Sequence, residues 1–396
     1  MISKRVVQSM QNSSYIRRMF EEGIRLKQIH GAGNVYDFSL GNPDLEPPKE
    51  VAEALKAIVA EARPGLHSYM SNAGYPETRA AVAGKLSRVS GVEIPAANVL
   101  MTVGAAGAMN CAFHSLLDAG DEVVVLAPYF VDYLNYVANH GGTPVIVACS
   151  PGTFLPDVAA IAAALTPRTK AVLLNSPNNP TGAIYPESVL RALADALAAA
   201  EKRFGTSIYV VSDEPYGEIV FDGATVPATL AIFRNLIVAS SWSKSLALPG
   251  ERIGFACVHP LAGDAKELLA AMAYAIRALG FINAPAIFQR VIERSIDARC
   301  DLASYVDRRA RLLTVLSDAG FICTPPQGAL YLFVKSPEPD EVAFSARAAA
   351  HRVLVVPGVA FGYPGYFRLT YCVSMKTIED SRASWNAIAA EYGLKR

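Results

Sequence analysis

At 396 residues the chain is too long for a single small core, so two domains are the default. Its 52% hydrophobic and 18% charged composition excludes a disordered protein. Lys+Arg and Asp+Glu both total 36, and this balance gives no reason to invoke nucleic acid or an anionic membrane as a partner. The six cysteines (Cys111, Cys149, Cys257, Cys300, Cys323, Cys372) are scattered without a Cys-x-x-Cys pair, which fits free thiols in a reducing compartment better than disulfides or a metal site.

In chain order, Met1-Ile2-Ser3-Lys4-Arg5-Val6 is not followed by a long apolar region, so no secretory signal is expected. No apolar run approaches the ~20 residues of a membrane span, and the expectation is a soluble, cytoplasmic protein. Residues 1–45 hold no sheet worth burying and read as a segment that packs with the far end of the chain. Residues 46–290 read as a large domain. Within it, short β-branched runs alternate with helical patterns from about residue 98 to 258. The predicted strands are Asn98–Val103, Glu122–Ala127, Pro144–Ala148, Ala171–Asn175, Ile208–Asp213, Leu236–Ser241 and Ile253–Val258. Most are apolar throughout, as strands covered on both faces are. The clearest predicted helix is Pro186–Phe204, with Gly205 as its stop. The fold class is therefore α/β, a mostly parallel, doubly wound sheet. A long helical region through roughly 260–319, short strands at Tyr331–Val334 and Phe367–Tyr371, and a last helix after Ile378 predict a smaller α+β domain over 291–396.

Ligands of open α/β sheets bind beyond the carboxyl ends of the strands, and the polar residues that fall there form a coherent set. Gly104, Ala105 and Ala106 open a helix, where backbone amides can close on a phosphate, although small residues also serve tight packing. Phe130 follows the second strand and can stack on a flat ring, or simply fill the core. Asn179 is fixed before Pro180, where a rigidly held amide can bond a phenolic oxygen. Asp213 closes an apolar strand, an expensive place for a carboxylate unless it is paired, and a protonated pyridine nitrogen is such a partner. Tyr216, three residues on, can bring its hydroxyl to the same ring. Ser241-Trp242-Ser243-Lys244 and Arg252 supply one amine, two hydroxyls and one guanidinium, which suits a cofactor with an aldehyde and a phosphate. Arg368 stands in an apolar strand, where it can grip a carboxylate bidentately or form a surface ion pair.

Taken together these residues resemble the class I/II aminotransferases, the pyridoxal phosphate enzymes of fold type I. The resemblance also draws on Gly41-Asn42-Pro43-Asp44, His67-Ser68-Tyr69, Gly74, Asn179-Pro180-Thr181-Gly182, Pro326-Gln327-Gly328-Ala329 and Pro357-Gly358, and it spans nearly the whole chain. It implies pyridoxal 5'-phosphate as cofactor, held in the large domain, and a ping-pong exchange between an L-amino acid and a 2-oxo acid, of the aspartate/2-oxoglutarate type. It implies Lys244 as the Schiff-base lysine and proton carrier, Asp213 at the ring nitrogen, Asn179 and Tyr216 at the ring oxygen, and Phe130 stacked on the ring. Ser241, Ser243, Arg252 and the backbone of Gly104–Ala106 match the phosphate cup. Arg368 matches the residue that grips the substrate carboxylate, helped by Asn179 and the Gly41 backbone. Tyr69 matches a tyrosine that reaches the neighbouring subunit's site, which implies a homodimer with shared active sites. The chain departs from the family at Ala105 and Ala106, where many members carry hydroxyls, so backbone amides must do more of the work there. Arg277 falls where some aspartate enzymes place a second arginine for the distal carboxylate, though a helix-surface arginine explains it equally well. A β-elimination or decarboxylation reaction would share these residues, and a non-catalytic ligand-sensing module would share the fold. The intact Lys244 speaks against the module.

Overall fold

The computed structural model describes residues 2, 3, 6 and 7 and residues 14–394. Of the opening hexapeptide, read above for a signal, Met1, Lys4 and Arg5 lie outside the described residues. The strands in chain order are β1 (Tyr36–Asp37), β2 (Val99–Val103), β3 (Glu122–Ala127), β4 (Thr143–Ala148), β5 (Thr169–Asn175), β6 (Tyr209–Asp213), β7 (Leu236–Ser241), β8 (Ile253–Val258), β9 (Tyr331–Lys335), β10 (Val353–Leu354), β11 (Val356–Pro357) and β12 (Tyr366–Thr370). Seven of them build one sheet in the order β2-β8-β7-β6-β5-β3-β4. The pairs β3–β4, β3–β5, β5–β6 and β6–β7 are parallel, and β8 runs antiparallel to both β2 and β7. The central strands β3, β6 and β8 are buried along their whole length, as two-sided helix cover requires. β4 departs from that pattern because it is the sheet edge, with most of its residues half-buried or exposed.

Helix Glu187–Phe204 shows why local sequence suffices in places. Pro186 precedes it with φ −62°, Leu190, Leu193, Leu197 and Ala200 form its buried stripe, and Gly205 ends it in the left-handed region with φ 70°. The stretch read as one long helical region through 260–319 resolves into Ala265–Ala278, Ala286–Arg294 and Ala303–Asp318. The first break contains Gly280 at φ 83°, and Pro285 stands at the cap of the second helix. Val291 and Ile292 of that helix belong to the core beneath the large sheet, so this core runs past residue 290.

A second layer of structure joins the two ends of the chain. β9, β11 and β12 form an antiparallel sheet in the order β11-β12-β9. Residues 1–45 do contribute one short strand, β1, whose Tyr36 and Asp37 pair in parallel with Val353 and Leu354. Tyr36 and Phe38 share an apolar core with Leu316, Tyr331, Phe367 and Trp385. All six cysteines are free, four of them buried and Cys300 and Cys323 half-buried. Among the described residues no helix is long and apolar enough to cross a membrane.

Candidate active site

Strand register gathers the site. Asn175 lies opposite Asp213 at the carboxyl ends of β5 and β6, and Ser241 lies opposite Gly254 across β7 and β8. Beyond those ends opens a cavity of about 420 Å³, lined by Gly41, Ala105, Ala106, Phe130, Asn179, Asp213, Tyr216, Ser241, Ser243, Lys244, Arg252 and Arg368, among others. Residues spread over more than 320 positions of sequence thus face one space.

Asp213 sets the electrostatics of the floor. Its carboxylate is buried, and Tyr133 donates to Oδ2 at 2.5 Å while Oδ1 has no hydrogen-bond partner. Burial pushes its pKa up to about 7; the Tyr133 bond works against that rise, and the neighbouring Glu214 adds to it. An orphaned carboxylate oxygen facing a cavity is costly, and a cationic N–H is the partner that offsets the cost. Asn175 supports this corner: Nδ2 donates to the Asp213 carbonyl at 2.9 Å, and Oδ1 accepts from the Asn179 amide at 2.8 Å. Phe130 meets Tyr133 edge-to-face at 5.5 Å between ring centroids.

Two expectations follow for this corner. Tyr133→Phe removes a hydrogen bond to a charged group, worth about 1.5–3 kcal/mol, so cofactor titration should show roughly ten-fold weaker binding or more. The second concerns pH. In the cofactor-free fold Asp213 keeps its proton up to about pH 7, while an unfolded chain releases it near the ordinary 3.8. The folded state then binds more protons across that window, so stability falls as pH rises through it and levels off above. Chemical denaturation of the cofactor-free protein between about pH 5 and about pH 7 should show Asp213 contributing a decline of up to about 1.4 kcal/mol per unit, which Asp213→Asn removes while the likewise raised Glu214 keeps its own share.

At the other end of the cavity, helix Gly104–Leu116 starts directly from β2. Gly104 has φ 68°, and a Cβ there would meet the Arg252 guanidinium at 2.8 Å. Arg252 itself holds a left-handed φ of 53°, and its Nη1 donates to the Pro249 carbonyl at 2.9 Å. Ser241 Oγ donates to Ser243 Oγ at 3.1 Å. Cationic and hydroxyl donors therefore gather beside a helix N-terminus, an arrangement that favours a phosphate.

Lys244 is the third residue of the short helix Trp242–Ser245, and its Nζ donates to the Gly41 carbonyl at 2.6 Å. A Cβ on Gly41 would collide with the Tyr331 ring, so only glycine brings that carbonyl this close. Arg368 is buried on β12. Nη2 donates to the Ser39 carbonyl at 2.6 Å, Nη1 to Asn179 Oδ1 at 3.2 Å, and Nε has no partner. The Tyr331 and Phe361 rings flank its guanidinium at 4.5 and 4.9 Å. Burial lowers its pKa, and among the described residues no carboxylate pairs with it, which leaves an anion site ready for one. Tyr216 and Tyr331 share a hydrogen bond of 3.2 Å, and burial holds the Tyr216 phenol well above its ordinary range.

Two predicted residues are not brought into this cavity. Tyr69 is 87% exposed, and Arg277 is exposed on helix Ala265–Ala278; neither lines the space. Gly104 is likewise absent from the lining and packs against the Arg252 guanidinium. Conversely, Tyr133, Tyr136, Asn175 and Tyr331 face the cavity, and sequence reasoning did not single them out. The available signal was polarity: a tyrosine in an apolar helix start needs a hydroxyl partner, and a buried carboxylate needs a donor.

The residues fit a phosphorylated, aldehyde-bearing pyridine: an amine in the cavity, an orphaned carboxylate oxygen on its floor, and an anion cradle at its end. A family model described as "Aminotransferase class I and II" matches residues 33–382. A probable aspartate/prephenate aminotransferase of Thermus aquaticus is 37% identical, with 86% of this chain and 87% of that protein covered. An aspartate aminotransferase of Pyrococcus horikoshii is 32% identical, with 92% of each covered. An amino transferase structure from Eubacterium rectale superposes with TM-score 0.95 at 39% identity, over 99% of both chains. The Thermus thermophilus aspartate aminotransferase with maleate gives 0.86 at 31% identity, over 98% of this chain and 100% of that one. The chain belongs to the class I and II aminotransferases, the pyridoxal phosphate-dependent transaminases of fold type I.

Proposed function

We propose that the chain moves an amino group from an aspartate-type donor to a 2-oxo acid, with Lys244 as proton carrier. The observation that carries this reading is the convergence of Lys244 Nζ, the unpartnered Oδ1 of Asp213 and the buried guanidinium of Arg368 on one cavity. Pyridoxal 5'-phosphate supplies, when bound, an aldehyde that takes up the amino group and a protonated ring that withdraws electrons from the substrate Cα. Asp213 would pair with the ring nitrogen through its unpartnered Oδ1, and Tyr133, which donates to Oδ2, would hold that carboxylate in place. Phe130 would cover the ring, while Asn179 and Tyr216 would serve its oxygen. Ser241, Ser243, Arg252 and the amides of Gly104–Ala106 hold the phosphate; hydroxyl-free Ala105 and Ala106 contribute only backbone there. Arg368 takes the substrate carboxylate through its free Nε, with Asn179 and the Gly41 region beside it. Nζ of Lys244, the amine in the cavity, would take up the substrate Cα proton and give it back.

Aspartate is the donor of first choice because the relatives above bear that name. Tyr69 and Arg277 are exposed on their own chain, which suits residues that serve the cavity of a second copy. A homodimer is accordingly part of this reading, Tyr69 reaching a phosphate and Arg277 a distal carboxylate across the interface. A donor panel with 2-oxoglutarate tests the reaction. Aspartate should be consumed with an equal yield of glutamate, faster than alanine or phenylalanine. Release of ammonia or carbon dioxide instead would overturn the transfer. Unchanged aspartate preference in Arg277→Ala would remove that residue from the distal-carboxylate role.

A further inference from the structure

Away from the active site, the last turn of helix Gly104–Leu116 brings His114 against His140, which follows helix Tyr133–Ala138. The two Nδ1 atoms stand 3.4 Å apart, and the rings meet edge-to-face at 5.2 Å between centroids. Asn110, one turn before His114, orients the pair. Its Nδ2 donates to the Ala106 carbonyl at 2.9 Å, which leaves Oδ1 as the atom facing His140 Nε2 at 3.1 Å. A carboxamide oxygen only accepts, so His140 carries its proton on Nε2 and presents a bare Nδ1 lone pair toward His114. An amide that fixes a ring's tautomer from behind is the support that metal-binding histidines use. The spacing fits as well: two nitrogens bound at about 2.0–2.1 Å to a tetrahedral ion lie about 3.3–3.4 Å apart. His114 is exposed, so water can reach the remaining positions.

We propose that His114 and His140 form a surface site for a divalent transition ion of the zinc, nickel or copper class. In the metal-free chain one proton bridges the two Nδ1 atoms; on binding, that proton moves to Nε2 of His114 and the ion takes its place. Among the described residues no group of three or more histidine, cysteine or acidic side chains is placed to hold a metal ion, so the two rings form half of a tetrahedral shell and solvent the rest. The twenty-six positions between the two histidines hide this pairing from any local motif.

The test is calorimetric titration of the holoenzyme with Zn²⁺ in a non-coordinating buffer, beside His114→Gln and His140→Gln. The wild type should bind one ion per chain, and each variant should bind about ten-fold more weakly or worse. Both variants should keep full transamination without metal, which also shows that they fold. No saturable binding by the wild type would overturn the site. So would binding that His114→Gln leaves intact, because the ion would then sit on the cofactor or another histidine.

Discussion

Lys244→Ala is expected to lower transamination by about 10⁴-fold, the upper range for loss of a positioned acid–base group, compounded here by loss of the covalent anchor. Lys244 is the lysine that lines the cavity, and its amine is pinned at 2.6 Å from the Gly41 carbonyl by a short helix and a glycine that Tyr331 leaves no room to replace. A coupled assay of oxo-acid formation measures the loss. Circular dichroism should be unchanged, because Lys244 is only half-buried and lies outside the main apolar clusters. Residual turnover within ten-fold of wild type would remove Lys244 from the chemistry.

Arg368→Ala is expected to cut kcat/KM for amino acids by roughly 10²–10³-fold, in line with about 2–5 kcal/mol for truncating one side of a buried charged pair. Its guanidinium is held by the Ser39 carbonyl and Asn179 Oδ1, so the variant also strands two acceptors. Arg368→Lys keeps the charge but loses the planar fork, and should fall between the two. The discriminating control is an amine without a carboxylate. Its slow reaction should be nearly indifferent to the substitution, whereas a role in folding alone would depress both substrates equally.

The strands of the large sheet were legible because β3, β6 and β8 carry mostly apolar residues on both faces and are buried from end to end, which two-sided cover explains. Polar residues in such surroundings were legible for the same reason: a carboxylate closing β6 at Asp213, or an arginine in the middle of buried β12 at position 368, contradicts its neighbours and asks for a partner. What sequence did not disclose was partnership across the fold. Tyr133 reads as one more aromatic in an apolar stretch, yet its hydroxyl reaches across eighty positions to Asp213. Tyr331 reads as a strand residue, while its ring flanks Arg368 and limits Gly41. Strand β1 was too short, at two residues, to leave a periodic trace. Helix breaks within 260–319 were missed because an alanine-rich stretch masks the Gly280 and Pro285 interruptions. Tyr69 and Arg277 are exposed and line no part of the cavity, so the roles the resemblance implies for them have no counterpart within this chain.

Incubation with pyridoxal 5'-phosphate, borohydride reduction and peptide mass mapping test the central assignment most directly. One phosphopyridoxyl group per chain, on the peptide holding Ser243-Lys244-Ser245 and absent in Lys244→Ala, is the predicted result. A protein that stays colourless and unlabelled, or carries the label on another lysine, would contradict it.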